Sequence, residues 1–259
     1  MINQLKERIE SYFDSITEIN KIEANSDIDR VIELLNSGKI RVCEKINDNW
    51  IVNTWIKKAI LLAFKLKSPR KQDFDSYDKL GLLKYNYETP SYRKVPMALI
   101  REGVYIANDA VIMPSYINIG AYIGEKTMID INAAIGSCAQ IGKNCHISAL
   151  SCIGGVLEPL VANPVIIEDN CFIGVHSSIL EGVIVQEGAV VASGVTISAS
   201  TKIINRKTGD ITYGIIPSGS VVVSGSYPSN GVNISCAVIV KHVDAKTRSK
   251  SSINELLRD

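Results

Sequence analysis

Arg93, Asp130, His176 and Glu181 are among the side chains of this sequence that have the chemistry to bind or transform a small molecule. Asp130 follows Ile129 at a position where other repeats of the same series carry Gly, Asn or Ser. A carboxylate in a closely packed structure is costly unless it has a partner or a purpose, and a carboxylate can act as a general base. Arg93 can hold a carboxylate through paired hydrogen bonds. The alternatives are an exposed aspartate, a solvated linker arginine and a surface histidine.

These residues lie on or beside a repeat of six residues. One aliphatic residue recurs in register, in two series: Ile117, Ile123, Ile129, Ile135, Ile141, Ile147 and Ile153, then Ile167, Ile173, Ile179, Val185, Val191, Ile197 and Ile203. A period of six fits neither the 3.6-residue turn of a helix nor the strict alternation of a flat strand. It predicts a coiled parallel sheet, in which each hexapeptide is one short face plus a corner and three faces make one coil.

A coil of this kind stacks on its neighbours at the spacing of adjacent strands and needs capped ends. The N-terminal 64 residues have helical periodicity, with a second helix expected from about Asp27 and a third from about Val52 to Phe64. Residues 65 to 94 are polar and are expected to form a linker. The predicted organisation is therefore a helical domain and linker (1–94), a coiled sheet (95–223) with a loop insertion near 154–166, and a C-terminal cap (224–259). Residues 205–210 are expected to turn a hairpin, and a short helix is expected over 253–257.

Composition excludes several classes of protein. Lys and Arg number 28 against 27 Asp and Glu, so the basic excess of a nucleic-acid binder is absent. No apolar run reaches the roughly 18 residues of a membrane span, and no secretory signal is visible. We therefore expect a cytoplasmic protein with no nucleic-acid or membrane partner. Six cysteines without a C-x-x-C pair and three histidines predict no metal site, and His146 is expected to be structural.

Several strings resemble one family, 2,3,4,5-tetrahydropyridine-2,6-dicarboxylate N-succinyltransferase, of the hexapeptide-repeat acyltransferase superfamily. They extend over nearly the whole chain: 37–42 (SGKIRV), 55–59 (WIKKA), 113–122 (MPSYINIGAY), 136–144 (GSCAQIGKN), 154–160 (GGVLEPL), 167–174 (IEDNCFIG) and 243–248 (VDAKTR). The resemblance implies a mainly β protein, with a left-handed parallel β-helix, an N-terminal α-helical domain and a small C-terminal strand and helix cap.

The resemblance also implies an activity. The family moves a succinyl group from succinyl-CoA to tetrahydrodipicolinate, giving N-succinyl-2-amino-6-ketopimelate and CoA in the diaminopimelate and lysine pathway. It implies a homotrimer with active sites between subunits, and no permanently bound cofactor. An acetyl-CoA-dependent acyltransferase of the same fold and a non-catalytic solenoid are the alternatives.

By the same resemblance, Arg93 binds substrate and Asp130 binds substrate and takes part in catalysis. The family's second carboxylate, a glutamate, corresponds to Ser178 here. Three explanations stay open: Glu181 supplies the carboxylate, His176 transfers the proton, or the enzyme works without this group. Expected CoA contacts are Ser193, Gly194, Lys202, Gly219, Lys241 and Arg248.

Counting repeats adds one constraint. The repeat that begins at Ile129 and the one that begins at Ile173 are two coils apart once the insertion is discounted, which is about 10 Å at the spacing of adjacent strands. Within one chain, Asp130 and the segment from His176 to Glu181 are therefore too far apart for one small site. The sequence thus predicts that a neighbouring chain completes the site.

Overall fold

The computed structural model describes residues 2–16, 20–72 and 75–247. The N-terminal part is a helical unit with two hairpins, in which α1 (Ile2–Asp14) and α2 (Lys21–Asn36) precede β1 (Cys43–Ile46), β2 (Asn49–Val52) and α3 (Thr54–Leu66), and β3 (Arg70–Gln72) and β4 (Ser76–Asp78) follow. The apolar faces of the three helices pack into one core, which also includes Ile119 and Cys138 of the sheet region.

Two helix boundaries differ from the prediction. Helix α2 begins six residues before Asp27, because the Asn20 side chain accepts a hydrogen bond from the Ile22 N–H at 3.1 Å and caps the helix there. Val52, expected at the start of the third helix, ends strand β2 instead. The expected linker contains the hairpin β3–β4 as well as the first strand of the β-helix.

From residue 93 onward the chain forms strands, most of them two residues long and most joined by four-residue corners. In chain order they are β5 (Arg93–Lys94), β6 (Leu99–Ile100), β7 (Tyr105–Ile106), β8 (Val111–Ile112), β9 (Tyr116–Ile117), β10 (Tyr122–Ile123), β11 (Met128–Ile129), β12 (Ala134–Ile135), β13 (Gln140–Ile141), β14 (His146–Ile147), β15 (Cys152–Ile153), β16 (Ile166–Ile167), β17 (Phe172–Ile173), β18 (Ser178–Ile179), β19 (Ile184–Val185), β20 (Val190–Val191), β21 (Thr196–Ile197), β22 (Ile203–Asn205), β23 (Ile211–Thr212), β24 (Ile215–Ile216), β25 (Ser220–Ser229) and β26 (Val232–His242).

Every third strand pairs in parallel, which makes a coil of three faces. Face 1 contains β5, β8, β11, β14, β17, β20 and β25; face 2 contains β6, β9, β12, β15, β18 and β21; face 3 contains β7, β10, β13, β16, β19 and β24. Ile123 pairs with Ile141, and Ile141 pairs with Ile167, so the predicted inward column is confirmed. Burial of one such isoleucine contributes roughly 1.5–3 kcal/mol, which each coil gains on all three faces.

The repeat starts earlier than the sequence series indicated. Ile100, Ile106 and Ile112 already occupy inward positions on faces 2, 3 and 1. The interval from Ile112 to Ile117 is five residues rather than six, so the first repeats are one residue out of phase with the later series. Because β5 pairs with β8, the β-helix begins before residue 95, and the expected boundary at 223 falls inside β25.

Two excursions leave the coil. The first, residues 154–165, lies at the corner between faces 2 and 3, where the insertion was predicted. The second includes Ile203, which was expected to continue the repeat. That expectation is wrong, because β22 pairs with β26 and β23, and β24 takes the place on face 3 beside β19. The hairpin turn predicted over 205–210 is confirmed.

The C-terminal end of the β-helix is closed by the long antiparallel pair β25 and β26. This pair covers the last coil with Val222, Ala237 and Ile239, which are buried in the main core. The helix expected over 253–257 lies outside the described residues.

Candidate active site

Asp130 lies at the corner between faces 1 and 2, directly after strand β11. Its backbone N–H donates to the Ile147 carbonyl of the next coil at 2.9 Å. Its Oδ1 accepts a hydrogen bond from the Ile131 N–H at 2.7 Å, and 25% of its side chain is exposed. The carboxylate is thus held by the backbone and remains open to solvent on one side.

His146 lies on strand β14, one coil above Asp130. Its Nε2 is 3.4 Å from Asp130 Oδ2, and 19% of its side chain is exposed. Sequence reasoning treated this histidine as structural and missed the contact. The spacing contained the information, because an 18-residue coil pairs Met128 with His146 and brings residue 146 beside the corner after β11.

Arg93 lies on the outward side of face 1, in strand β5. The register connects it through Val111 and Met128 to His146, so Arg93 shares one outward column with the histidine. Its backbone N–H donates to the Ala110 carbonyl, and its side chain is exposed. Two strand spacings, about 10 Å, separate Arg93 from Met128 along this face, which an arginine side chain and a small dicarboxylate can bridge together.

His176 and Glu181 lie at different corners. His176 is exposed at the corner between faces 1 and 2, two coils above Asp130, with a φ of 58°. Glu181 is at the corner between faces 2 and 3, where its Oε2 accepts a hydrogen bond from the Ala199 N–H at 3.1 Å. Ser178 lies between them as the outward residue of β18 on face 2. In one chain the structure therefore brings neither His176 nor Glu181 to Asp130.

The residues predicted to contact CoA fall in separate places. Ser193 and Gly194 lie at the corner between faces 1 and 2, whereas Gly219 lies at the corner between faces 3 and 1. Lys202 is over the Tyr227 ring at 3.9 Å. Arg248 lies outside the described residues.

Lys241 is on β26, opposite Val221 of face 1. Its Nζ is 2.7 Å from Asp244 Oδ2. That hydrogen bond is the main reason why the pKa of the Asp244 carboxyl lies well below its usual range. A phosphate that binds Lys241 must therefore compete with this carboxylate.

The corner that holds Asp130 and His176 also exposes apolar side chains. Ile131 is 44% exposed, Leu150 46% and Val175 38%. They lie on successive coils, since the Leu150 N–H donates to the Ile131 carbonyl and the His176 N–H to the Ala149 carbonyl. The polar candidates therefore lie beside an apolar strip, which we call the corner strip (Ile131, Leu150 and Val175).

In the described part of the chain, no helix is both long and apolar enough to cross a membrane. Within the same residues, no group of three or more His, Cys, Asp or Glu side chains is arranged to hold a metal ion.

Comparison with protein families and known proteins gives consistent results. Three family models match the chain: tetrahydrodipicolinate N-succinyltransferase N-terminal over residues 4–66, bacterial transferase hexapeptide (six repeats) over 120–155, and hexapeptide repeat of succinyl-transferase over 164–199. Relatives named 2,3,4,5-tetrahydropyridine-2,6-dicarboxylate N-succinyltransferase include that of Sodalis glossinidius, 50% identical over 99% of both chains. Another, from the Wolbachia of Brugia malayi, is 53% identical over 90% of this chain and 88% of its own.

A solved structure shows the same fold. It is a putative 2,3,4,5-tetrahydropyridine-2-carboxylate N-succinyltransferase from Campylobacter jejuni, with a TM-score of 0.53 and 16% identity. The match covers 83% of this chain and 62% of that protein. At this identity the likeness extends to the fold alone.

The coils, the helical unit and the matched repeats define a hexapeptide-repeat transferase, mainly β, with a left-handed parallel β-helix and an N-terminal helical unit, which confirms the expected fold. Within that class, the chain belongs to the tetrahydrodipicolinate N-succinyltransferase family.

Proposed function

We propose that this protein transfers a succinyl group from succinyl-CoA to tetrahydrodipicolinate, giving N-succinyl-2-amino-6-ketopimelate and CoA in the diaminopimelate and lysine pathway. The observation that carries the proposal is identity of about one half to relatives with this name over essentially the full length of both chains. The protein then binds succinyl-CoA as a co-substrate rather than as a resident cofactor, and it works in the cytoplasm.

Asp130 and Arg93 take the first two roles. The guanidinium of Arg93 holds a substrate carboxylate through paired hydrogen bonds, since its exposed side chain lies on the same face as the approach to Asp130. Tetrahydrodipicolinate is a cyclic imine, so a water molecule first adds to its C=N bond and opens the ring, which leaves a ketone and an amino group. Asp130 accepts a proton from the ammonium form of this group, because an ammonium ion cannot attack a thioester. The amine nitrogen then bonds to the succinyl carbon, the C–S bond breaks, and the CoA thiolate takes up a proton.

A second chain completes the site in this proposal. Along one chain, β11 and β17 are separated by β14, so Asp130 and His176 are about 10 Å apart in height. The corner strip exposes apolar surface beside Asp130, and such a surface is suited to contact with another protein chain. A homotrimer with its sites between neighbouring β-helices satisfies both observations.

By resemblance Ser178 corresponds to the family glutamate, so either another residue transfers the second proton or the enzyme works without this group. His176 is the better candidate, because it is exposed at the same corner as Asp130 and an imidazole can both accept and donate a proton. The Glu181 carboxylate faces another corner and already accepts the Ala199 N–H. Ser193, Gly194, Lys202, Gly219 and Lys241 remain the proposed contacts for CoA.

The test is an assay of CoA release from purified protein with tetrahydrodipicolinate and either succinyl-CoA or acetyl-CoA. We expect release with succinyl-CoA, at least 100-fold less with Asp130→Asn, and a lower rate with His176→Gln than with Glu181→Gln. Release with acetyl-CoA instead would identify a different acyl donor. No release with either donor, from protein that forms trimers, would contradict the proposal and favour a non-catalytic solenoid.

A further inference from the structure

The carboxylate of Asp130 is held at both oxygens. Oδ1 accepts the Ile131 N–H at 2.7 Å, and Oδ2 lies 3.4 Å from His146 Nε2. Because a carboxylate is planar, the two contacts restrain the same rotation about its Cβ–Cγ bond, and loss of the imidazole contact leaves a single hydrogen bond to resist that rotation. A base that must meet an amine in a defined direction depends on that rotation, since a displacement of about 1 Å can cost 100-fold in rate.

His146 is itself held in place by the β-helix. Its strand pairs with β11 below and β17 above, and its ring meets the Phe172 ring edge-on at 5.2 Å between centroids. Among titratable groups, Asp130 faces it from β11, while Phe172, the neighbour from β17, carries no charge. Lys143, at the other end of β14, is directed to Asp169. The imidazole therefore has a fixed orientation and lies beside the carboxylate of Asp130.

We propose that His146 is a positioning residue for Asp130, and this inference rests on the proposed function. The neutral imidazole donates its Nε2–H to Oδ2 and leaves the remaining lone pairs of the carboxylate directed at the substrate amine. When His146 is protonated, the imidazolium pairs with the carboxylate and weakens it as a base. Activity then falls as the pH decreases through the titration of the histidine.

The kinetic test compares His146→Leu with His146→Gln, whose amide can still donate to Oδ2. We expect the leucine variant to lose about 100-fold in kcat with the KM for succinyl-CoA changed less than about twofold, and the glutamine variant to recover most of the rate. The acidic limb of the pH profile of kcat/KM should move to lower pH in His146→Gln, because glutamine cannot become a cation. Wild-type kcat in His146→Leu, or an unchanged limb in His146→Gln, would overturn the proposal.

A second measurement is independent of activity and of the folding of the leucine variant. In NMR titrations, Asp130→Asn should lower the midpoint of the His146 imidazole by about one pH unit, because the nearby anion is lost. The resonance of His242, which the proposed site does not include, serves as the internal control and should be unchanged from the wild type. An unchanged His146 midpoint would overturn the contact itself. If the wild-type protein releases no CoA but Asp130→Asn still lowers the His146 midpoint, the proposed function is contradicted, whereas the contact between His146 and Asp130 stands.

Discussion

Face 3 and the corner between faces 1 and 2 share one interior but have opposite exteriors. On face 3 the helical unit covers the middle coils: Gln140 is fully buried and accepts a hydrogen bond from Arg41 Nε at 2.6 Å. The same guanidinium lies 3.7 Å from the centroid of the Tyr122 ring. At the corner between faces 1 and 2, Asp130 is partly exposed, and the side chains of the corner strip are exposed in the described part of the chain.

The difference shows how a repeat separates stability from function. The inward residue of each hexapeptide is nearly constant, and it makes the coil. The outward and corner residues are free to vary, so one exterior packs against the protein's own helices and another stays exposed beside Asp130. The covered side also changes the ionisation of a basic side chain. Burial lowers the pKa of Arg41 on face 3, where its hydrogen-bond acceptor is the neutral amide of Gln140.

The largest expected effect concerns the contact between the helical unit and the insertion. Lys57 of α3 is fully buried, burial lowers its pKa, and its Nζ donates to the Ala162 carbonyl at 2.7 Å. Lys57→Ala should lower the free energy of unfolding by about 3 kcal/mol, because it leaves a cavity and an unpaired carbonyl. Lys57→Met, which refills the space, should cost about 1 kcal/mol.

Urea unfolding measures both variants, with Lys65→Ala on the exposed side of the same helix as the control. Lys65→Ala should remain within about 0.5 kcal/mol of the wild type. Equal losses for the alanine and methionine variants of Lys57 would mean that the cavity contributes nothing. In that case packing around Lys57 would not distinguish the covered side of the molecule from the open corner.

The second prediction concerns Gln140. Its amide accepts from Arg41 and donates to the Cys138 carbonyl at 2.8 Å. Gln140→Met keeps the volume but leaves both partners unsatisfied, so we expect a loss of about 2 kcal/mol in the same unfolding experiment. Thr196→Val, at the equivalent outward position of an exposed strand, is the control and should change stability by less than about 0.5 kcal/mol. Similar losses in both variants would remove the distinction between covered and open faces.

The third prediction uses pH. Burial alone would raise the pKa of Glu168, but hydrogen bonds from Trp50 Nε1 at 2.9 Å, Lys45 Nζ at 3.0 Å and the Glu187 N–H outweigh it and lower the pKa below its usual value. A carboxylate with a lowered native pKa stabilises the fold above its unfolded pKa, and this stability is lost as the pH falls through the native value. Glu168→Gln should cost about 1.5 kcal/mol at pH 7.

The difference between wild type and Glu168→Gln should therefore be full above about pH 5 and shrink below about pH 4.3, the ordinary pKa of glutamate. Chemical denaturation at a series of pH values measures it. Glu187→Gln, at an exposed position of the same corner, is the control and should show no such trend. A difference that stays constant to pH 3 would contradict the role of the ionised carboxylate in binding the hairpin of β1 and β2.

Sequence predicted the interior of this molecule better than its exterior. Six-residue spacing determines which residues point inward, so the coil and its insertion were predictable from Ile117 onward. The five-residue step from Ile112 to Ile117 hid the first coils. Ile203 matched the pattern although β26, distant in sequence, pairs with its strand. Pairing between strands that are far apart in sequence cannot be predicted from the residue spacing near either strand.

The candidate site was predictable only in part for the same reason. Asp130 and Arg93 could be selected as single residues, by type and by resemblance. Their surroundings depend on which coil lies above and which face a residue occupies. His146 was missed because its partner is 16 residues away, and Glu181 was grouped with His176 because five residues separate them in sequence. In the fold those five residues cross one whole face.

The smallest effect on stability is expected at the corner strip, and it tests whether that strip is a subunit contact. Leu150 has a φ of 60°, a conformation that asparagine adopts more readily than leucine, and Asn132 and Gly194 adopt it at the same corner of other coils. Leu150→Asn should therefore change the free energy of unfolding by no more than about 0.5 kcal/mol. It should also weaken self-association, because it removes exposed apolar area.

Sedimentation over a range of concentrations measures this, with Val161→Asn, an exposed apolar residue of the insertion, as the control. If Leu150→Asn and Val161→Asn associate alike, the neighbouring chain does not contact this corner, and Asp130 must work with groups of its own chain, of which His146 is the nearest titratable one described.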